Sequence, residues 1–241
     1  MNTLQGKVIL VTGGGQGLGA AICHSLSAEG AISIPVDITD HKIEKVVSSI
    51  RENGKESRGY LMDVTDEKEV ERTLGQVIKD FGRLDGVVNN AGIDFTKPIE
   101  ELSFEEWDKV IKVNLSGPFN VSKHAFQHLI NNGGGHIVNI ASTAAKRTWA
   151  NATAYHASKW GLLGLSHALH VEARQKNIKV TALIAGGMQT SFILDRFPDV
   201  DPNILQDPRN VADTVKYLFC QPKETVIPEV MVIPMRETSW P

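Results

Sequence analysis

The chain has 241 residues, 41% of them hydrophobic and 22% charged, with a formal net charge of −3. That length can bury one large core, and the slightly acidic balance offers no basic face to hold a nucleic-acid backbone or an anionic membrane surface. Glycine and proline are scattered, no five like charges run together and no segment repeats, so residues 1–241 read as a single domain.

The opening "MNTLQGKVILVTGG" lacks the apolar stretch and cleavage site of a secretory leader, and no later run reaches membrane-span length; a cytoplasmic location is expected. Within it, "KVILVT" (7–12) is short, apolar and β-branched, as a strand requires. The cluster "TGGGQGLGA" follows and opens a helical pattern that stops at Gly30. It fits two overlapping glycine registers, Gly13, Gly17 and Gly19 or Gly15, Gly17 and Ala20, with Gln16 and Leu18 in the same turn. Either register lets the backbone turn tightly and approach a pyrophosphate, whose charge suits the free N–H groups of a helix start. A glycine turn between a first strand and a helix therefore marks a dinucleotide site.

The second strand, 31–36, contains the irregular Pro35 and leads to Asp37, 22 residues after Gly15. A carboxylate there can accept from the ribose hydroxyls of an adenosine and repels a 2′-phosphate. Neither Gln16 nor Ile38, its expected neighbours, supplies a cation, so NAD is favoured over NADP. Further strand-like runs stand at 57–62, 84–88, 135–141, 178–184 and 226–233, with helical patterns between most of them and one long helical stretch after residue 101. This alternation predicts an α/β fold: one doubly wound parallel sheet of about seven strands with helices on both faces, Rossmann-type, binding its ligand at the strands' carboxyl ends.

"TAYHASKWG" (153–161) sets Tyr155 and Lys159 four positions apart, on one face if the stretch is helical. The paired histidines His124/His128 and His167/His170 have no accompanying glutamate or cysteine pattern, so no metal site is expected. Cys23 and Cys220 read as reduced packing residues.

With "TGGGQGLG" at 12–19, "DV" at 63–64, "NNAG" at 89–92, Asn114, Ser142 and "YHASK" at 155–159, the chain resembles the short-chain dehydrogenase/reductase family from about residue 6 to residue 220. The resemblance implies an oxidoreductase that moves a hydride between NAD(H) and a carbonyl or secondary alcohol, with Tyr155 as general acid or base, Lys159 lowering its pKa and reaching the nicotinamide ribose, Ser142 holding the substrate oxygen and Asn114 completing a proton relay. By the same resemblance, Asp63 and Val64 contact adenine, Asn90, Ala91 and Gly92 pass beneath the ribose, and Gly186, Met188 and Thr190 reach the nicotinamide amide. Ala185 stands where relatives commonly carry proline, which predicts a looser loop after the sixth strand. Residues 191–206 are the expected substrate lid, and Phe95, Trp149 and Met188 predict a mainly apolar pocket with no arginine cluster dedicated to a carboxylate or phosphate. A homodimer or homotetramer is implied, while Trp240 in the tail could serve an oligomer contact or cover the core. Two alternatives stay open: an NADPH-dependent reductase of 3-oxoacyl thioesters, which Asp37 disfavours, and a non-catalytic dinucleotide sensor.

Overall fold

A computed structural model describes residues 4–236; the expectation for Trp240 lies outside them. The first strand, β1 (Val8–Thr12), leads through the glycine turn to α1 (Gly17–Ala28), and β2 (Ile32–Asp37) to α2 (Asp40–Glu52). Then come β3 (Tyr60–Leu61), α3 (Glu67–Phe81), β4 (Gly86–Asn89), α4 (Phe104–Ile111) and α5 (Gly117–Asn131). The second half runs β5 (Gly135–Ser142), α6 (Thr153–Ala173), β6 (Ile178–Ala185), α7 (Ser191–Leu194), α8 (Pro208–Phe219) and β7 (Glu229–Val232). All seven strands pair in parallel in the order β3-β2-β1-β4-β5-β6-β7. Among the described residues no helix is long and apolar enough to cross a membrane.

Strands buried on both faces must be apolar on both, which is why β1 is the unbroken run VILVT with every residue buried. Ile22 and Leu26 of α1 and Val211 and Val215 of α8 cover one face, packing with Ile9 and Val11. Leu74 of α3 and Val121 and Leu129 of α5 cover the other, packing with Leu10 and Val87. Winding outward in both directions from β1 and β4 leaves a crevice at their carboxyl ends, and that is where ligands bind in open sheets of this kind.

Two expectations are corrected. The strand expected at 57–62 shrinks to Tyr60–Leu61 with an isolated bridge at Ser33 and Ser57. The gap falls opposite Pro35, which has no N–H to give, and at Gly59, where a Cβ would sit 1.9 Å from Ile43 Cγ2 and keep α2 off the sheet. The long helix after residue 101 is broken at Lys112–Ser116 by a π turn, in which Gly117 N–H reaches back five residues to the Lys112 carbonyl. Ala185 closes β6: it pairs with Ser142 and Val232, and Gly186 N–H donates to the Val232 carbonyl at 2.9 Å.

Candidate active site

The carboxyl ends of β1, β4, β5 and β6 open into one cavity of about 1170 Å³. Gly13, Gln16, Gly17, Leu18, Asp37, Ile38, Asp63 and Val64 line one part, and Ser142, Tyr155, Lys159, Gly186, Met188 and Thr190 another, with Asn90, Ala91 and Gly92 also on its wall. Of the expected contacts, Gly15, Gly19 and Asn114 do not line it, and neither does Phe95, which was expected in the substrate pocket.

The glycine turn is shaped by backbone that no side chain could accompany. Gly13 has φ +62°, and a Cβ at Gly19 would lie 2.1 Å from the Gly13 carbonyl oxygen, so the helix start packs directly on the turn. Gln16 precedes α1 in extended conformation with no side-chain cap, leaving the first N–H groups of that helix available to an anion. Thr12, which sequence reasoning left without a role, ties this turn to the β4 end: its Oγ1 accepts from Asn90 N–H at 2.9 Å and Ala91 N–H at 3.0 Å. Asn90 Nδ2 in turn donates to the Thr12 carbonyl at 2.9 Å.

Asp37 accepts from Gly15 N–H at 3.3 Å and Thr39 N–H at 3.2 Å, which holds its carboxylate at the mouth of the glycine turn. The cation said to be missing is present. Lys42, in the first turn of α2, lines the same cavity, and its Cβ lies 2.8 Å from where a Cβ on Gly15 would be. Asp63 is occupied locally, accepting from Thr65 N–H and Oγ1, both at 2.8 Å, while Asn120 Nδ2 holds the Val64 carbonyl at 3.1 Å.

Tyr155 and Lys159 lie in the first turns of α6, both nearly buried, and the ammonium is 5.6 Å from the phenol ring centre. The lysine Nζ donates to the Ile140 carbonyl at 2.8 Å. Burial lowers its pKa to about 8. Burial also dominates Tyr155 and pushes it up to about 12, against the opposing pull of a hydrogen bond with Ser142 and the charge of Arg196. In the protein alone desolvation therefore sets the direction of the phenol's shift, and the lowering comes from Ser142 and Arg196 rather than from the lysine. Ser142, at the end of β5, accepts from Ala144 N–H at 3.2 Å and shares a hydrogen bond with the Tyr155 hydroxyl.

Asn114 sits fully buried inside the π turn, and its side chain brackets one residue of the β4 loop: Oδ1 accepts from Ile93 N–H and Nδ2 donates to the Ile93 carbonyl, both at 2.8 Å. Nδ2 also donates to Ser158 Oγ at 3.1 Å. Its amide is thus committed to fixing the loop between β4 and α6. His156, beside Tyr155, was also missed. Its Nε2 accepts from Trp149 N–H at 3.1 Å, so Nδ1 carries the proton and donates to the Ala144 carbonyl at 2.9 Å. It clamps the turn that follows Ser142 onto the helix that carries Tyr155.

The loop after β6 closes on itself: Gln189 N–H donates to the Gln206 carbonyl at 2.9 Å and Gln206 N–H to the Gly187 carbonyl at 3.2 Å. Between these ends Phe192, Ile193, Phe197 and Leu205 line the cavity. One arginine, Arg196 of this loop, enters the cavity and pairs with Asp94 at 2.7 Å. Among the described residues no group of three histidine, cysteine, aspartate or glutamate side chains is placed to hold a metal ion.

Residues 7–200 match the family model described as short chain dehydrogenase. D-threitol dehydrogenase of Mycolicibacterium smegmatis is 37% identical over 180 residues, covering 75% of this chain and 69% of the relative. Among solved structures, a metagenomic short-chain oxidoreductase in complex with NADP is 31% identical with a TM-score of 0.85, covering 96% of this chain and 99% of its own. An NAD⁺-bound xylitol dehydrogenase is 28% identical with a TM-score of 0.87, covering the same shares.

Proposed function

The chain belongs to the short-chain dehydrogenase family, and from that membership we propose that it transfers a hydride between NAD(H) and a carbonyl or secondary-alcohol substrate. One observation carries this reading: Ser142, Tyr155 and Lys159 line the same cavity as the glycine turn and Asp37. The residues present fit a dinucleotide. The turn packs so closely that a Cβ at Gly19 would strike the Gly13 carbonyl and one at Gly13 would crowd Ala91, uncapped N–H groups stand at the start of α1, and an acceptor for ribose hydroxyls lies at Asp37.

When bound, the nicotinamide dinucleotide supplies or takes up the hydride. Gly13, Gly15, Gln16, Gly17, Leu18 and Gly19 cradle the pyrophosphate, Asp37 and Ile38 border the adenosine ribose, and Asp63 and Val64 border adenine. Asn90, Ala91 and Gly92 support the ribose side, while Gly186, Met188 and Thr190 face the amide end. Ser142 donates its hydroxyl proton to the substrate oxygen and stabilises the charge that develops there. Tyr155 gives a proton to that oxygen in reduction and takes it back in oxidation. With the phenol near 12, proton removal needs positive charge nearby, and Lys159 stands ready to supply it. Asn114 positions the loop around this exchange.

Residues 191–206 act as lid on a single catalytic domain. Exposed Phe119 on α5 and Trp160 on α6 support packing against a second copy, as a homodimer or homotetramer in the cytoplasm. Relatives named for D-threitol and xylitol support a small hydroxylated substrate. Lys42 beside Asp37 is the observation that favours NADP as the competing cofactor. The test is a screen of alcohols and ketones at the nicotinamide absorbance, with NAD and NADP in parallel and Tyr155→Phe as control. Turnover with NAD, lost at least about 100-fold in the variant, is expected. Binding of the dinucleotide without turnover of any substrate would overturn the reading in favour of a sensor.

A further inference from the structure

Asp94 and Arg196 take no part in the hydride and proton transfers above, yet both line the cavity beside Tyr155. They come from segments 102 residues apart, the loop after β4 and the loop after β6, and their side chains are only 6% and 19% exposed. Arg196 is held rigidly. Its Nη1 donates to Asp94 Oδ2 and its Nε to the Phe192 carbonyl, each at 2.7 Å. The guanidinium also lies 3.7 Å from the centre of the Phe192 ring, which is itself 5.9 Å from the Tyr155 ring. A guanidinium has five N–H donors, so this arrangement leaves donors for a ligand.

Asp94 is the less satisfied partner. Its Oδ2 accepts from Arg196 and from Thr96 Oγ1 at 3.2 Å, but Oδ1 is buried with no hydrogen-bond partner. A carboxylate oxygen left so is destabilising unless something brings it a donor. Asp94 stands on the cavity wall beside Phe192 and Arg196, so a group bound in the cavity meets this pair. The chemistry of that group follows from the pair. An anion meets the Asp94 charge, and a cation meets Arg196. A neutral hydroxyl satisfies both, accepting from the guanidinium and donating to the carboxylate.

We propose that Asp94 and Arg196 bind a second hydroxyl of the substrate, next to the reacting carbon, and so select vicinal diols and α-hydroxyketones over compounds with one oxygen. This rests on the hydride-transfer reading. In oxidation the diol loses a hydride from the reacting carbon and a proton from its oxygen and becomes the hydroxyketone; the second hydroxyl keeps all its atoms.

The experiment compares kcat/KM for butane-2,3-diol and butan-2-ol, and for acetoin and butanone, in the wild type and in Asp94→Ala and Asp94→Asn, with dinucleotide binding followed by fluorescence as a check on folding. A site built around a substrate hydroxyl rejects the analogue lacking it, so the wild type prefers the two-oxygen compound by at least about 10-fold. In Asp94→Ala that ratio falls towards one, and Asp94→Asn decides the matter should the alanine variant fail to fold. A wild-type ratio near one, variants slowed equally on both members of each pair, or a preference for 3-hydroxybutyrate over the diol would each overturn the proposal. Turnover of butanone with no gain from the second oxygen defeats this inference alone, whereas no turnover of any compound with either cofactor defeats the hydride-transfer reading as well.

Discussion

Lys159→Met should make the protein more stable while removing its activity. The ammonium is buried, with only 5% of the residue exposed, and its pKa falls from 10.5 to about 8. At about 1.4 kcal/mol per pH unit, a charged Lys159 disfavours the folded state by roughly 3 kcal/mol. Methionine has a similar length and no charge; it gives up the hydrogen bond to the Ile140 carbonyl, worth about 1 kcal/mol, for a net gain of about 2 kcal/mol at pH 7. The sign is tied to pH. The unfolded chain keeps the proton up to 10.5 and the folded one only up to about 8, so the penalty is complete below pH 8 and fades between there and 10.5. Urea unfolding of both proteins at pH 7 and pH 9.5 should therefore show the variant ahead by about 2 kcal/mol at the lower pH and nearly level at the higher. A variant less stable than the wild type at pH 7, or a gap that does not change with pH, would refute the reasoning.

Gly19→Ala places a methyl 2.1 Å from the Gly13 carbonyl oxygen; dinucleotide affinity measured by fluorescence titration should fall at least about 10-fold, with a stability loss of about 1–3 kcal/mol. Asp37→Ala should raise the ratio of kcat/KM with NADPH to that with NADH by about 10-fold or more, since it removes a like charge and leaves Lys42 to meet the 2′-phosphate; adding Lys42→Ala should reverse most of that gain. His156→Phe breaks the bonds to Ala144 and Trp149 that place Ser142 against Tyr155, so kcat should drop about 10-fold or more while cofactor affinity holds. An unchanged kcat in that variant would remove His156 from the positioning of the site.

Local chemistry made the site legible where its parts are close in sequence. The glycine turn and the Tyr155–Lys159 spacing are each set by one turn and one helix, and both were readable from residue type and interval alone. Contacts between distant elements were not. Asp94 and Arg196 meet only because two loops converge, and Lys42 comes beside Gly15 of the glycine turn only because α2 packs against that turn. His156 looked like an ordinary helical residue because its partners, Ala144 and Trp149, lie on the preceding turn. Acidity was misjudged for a related reason: sequence shows a neighbouring charge but not burial, and burial has the larger effect on Tyr155. The shortened β3 follows from Pro35 and Gly59 facing each other, a pairing that only the register reveals.

The π turn at Lys112–Ser116 has a consequence for insertions and deletions. It accommodates one residue more than a regular helical turn, so α4 and α5 are out of phase by about 100°. Deleting any one of its five residues would straighten the two segments into a continuous rod and rotate Val121, Ala125 and Leu129 off the sheet they now cover. Point substitutions there are tests of single contacts, but a one-residue deletion would turn an entire helix the wrong way round.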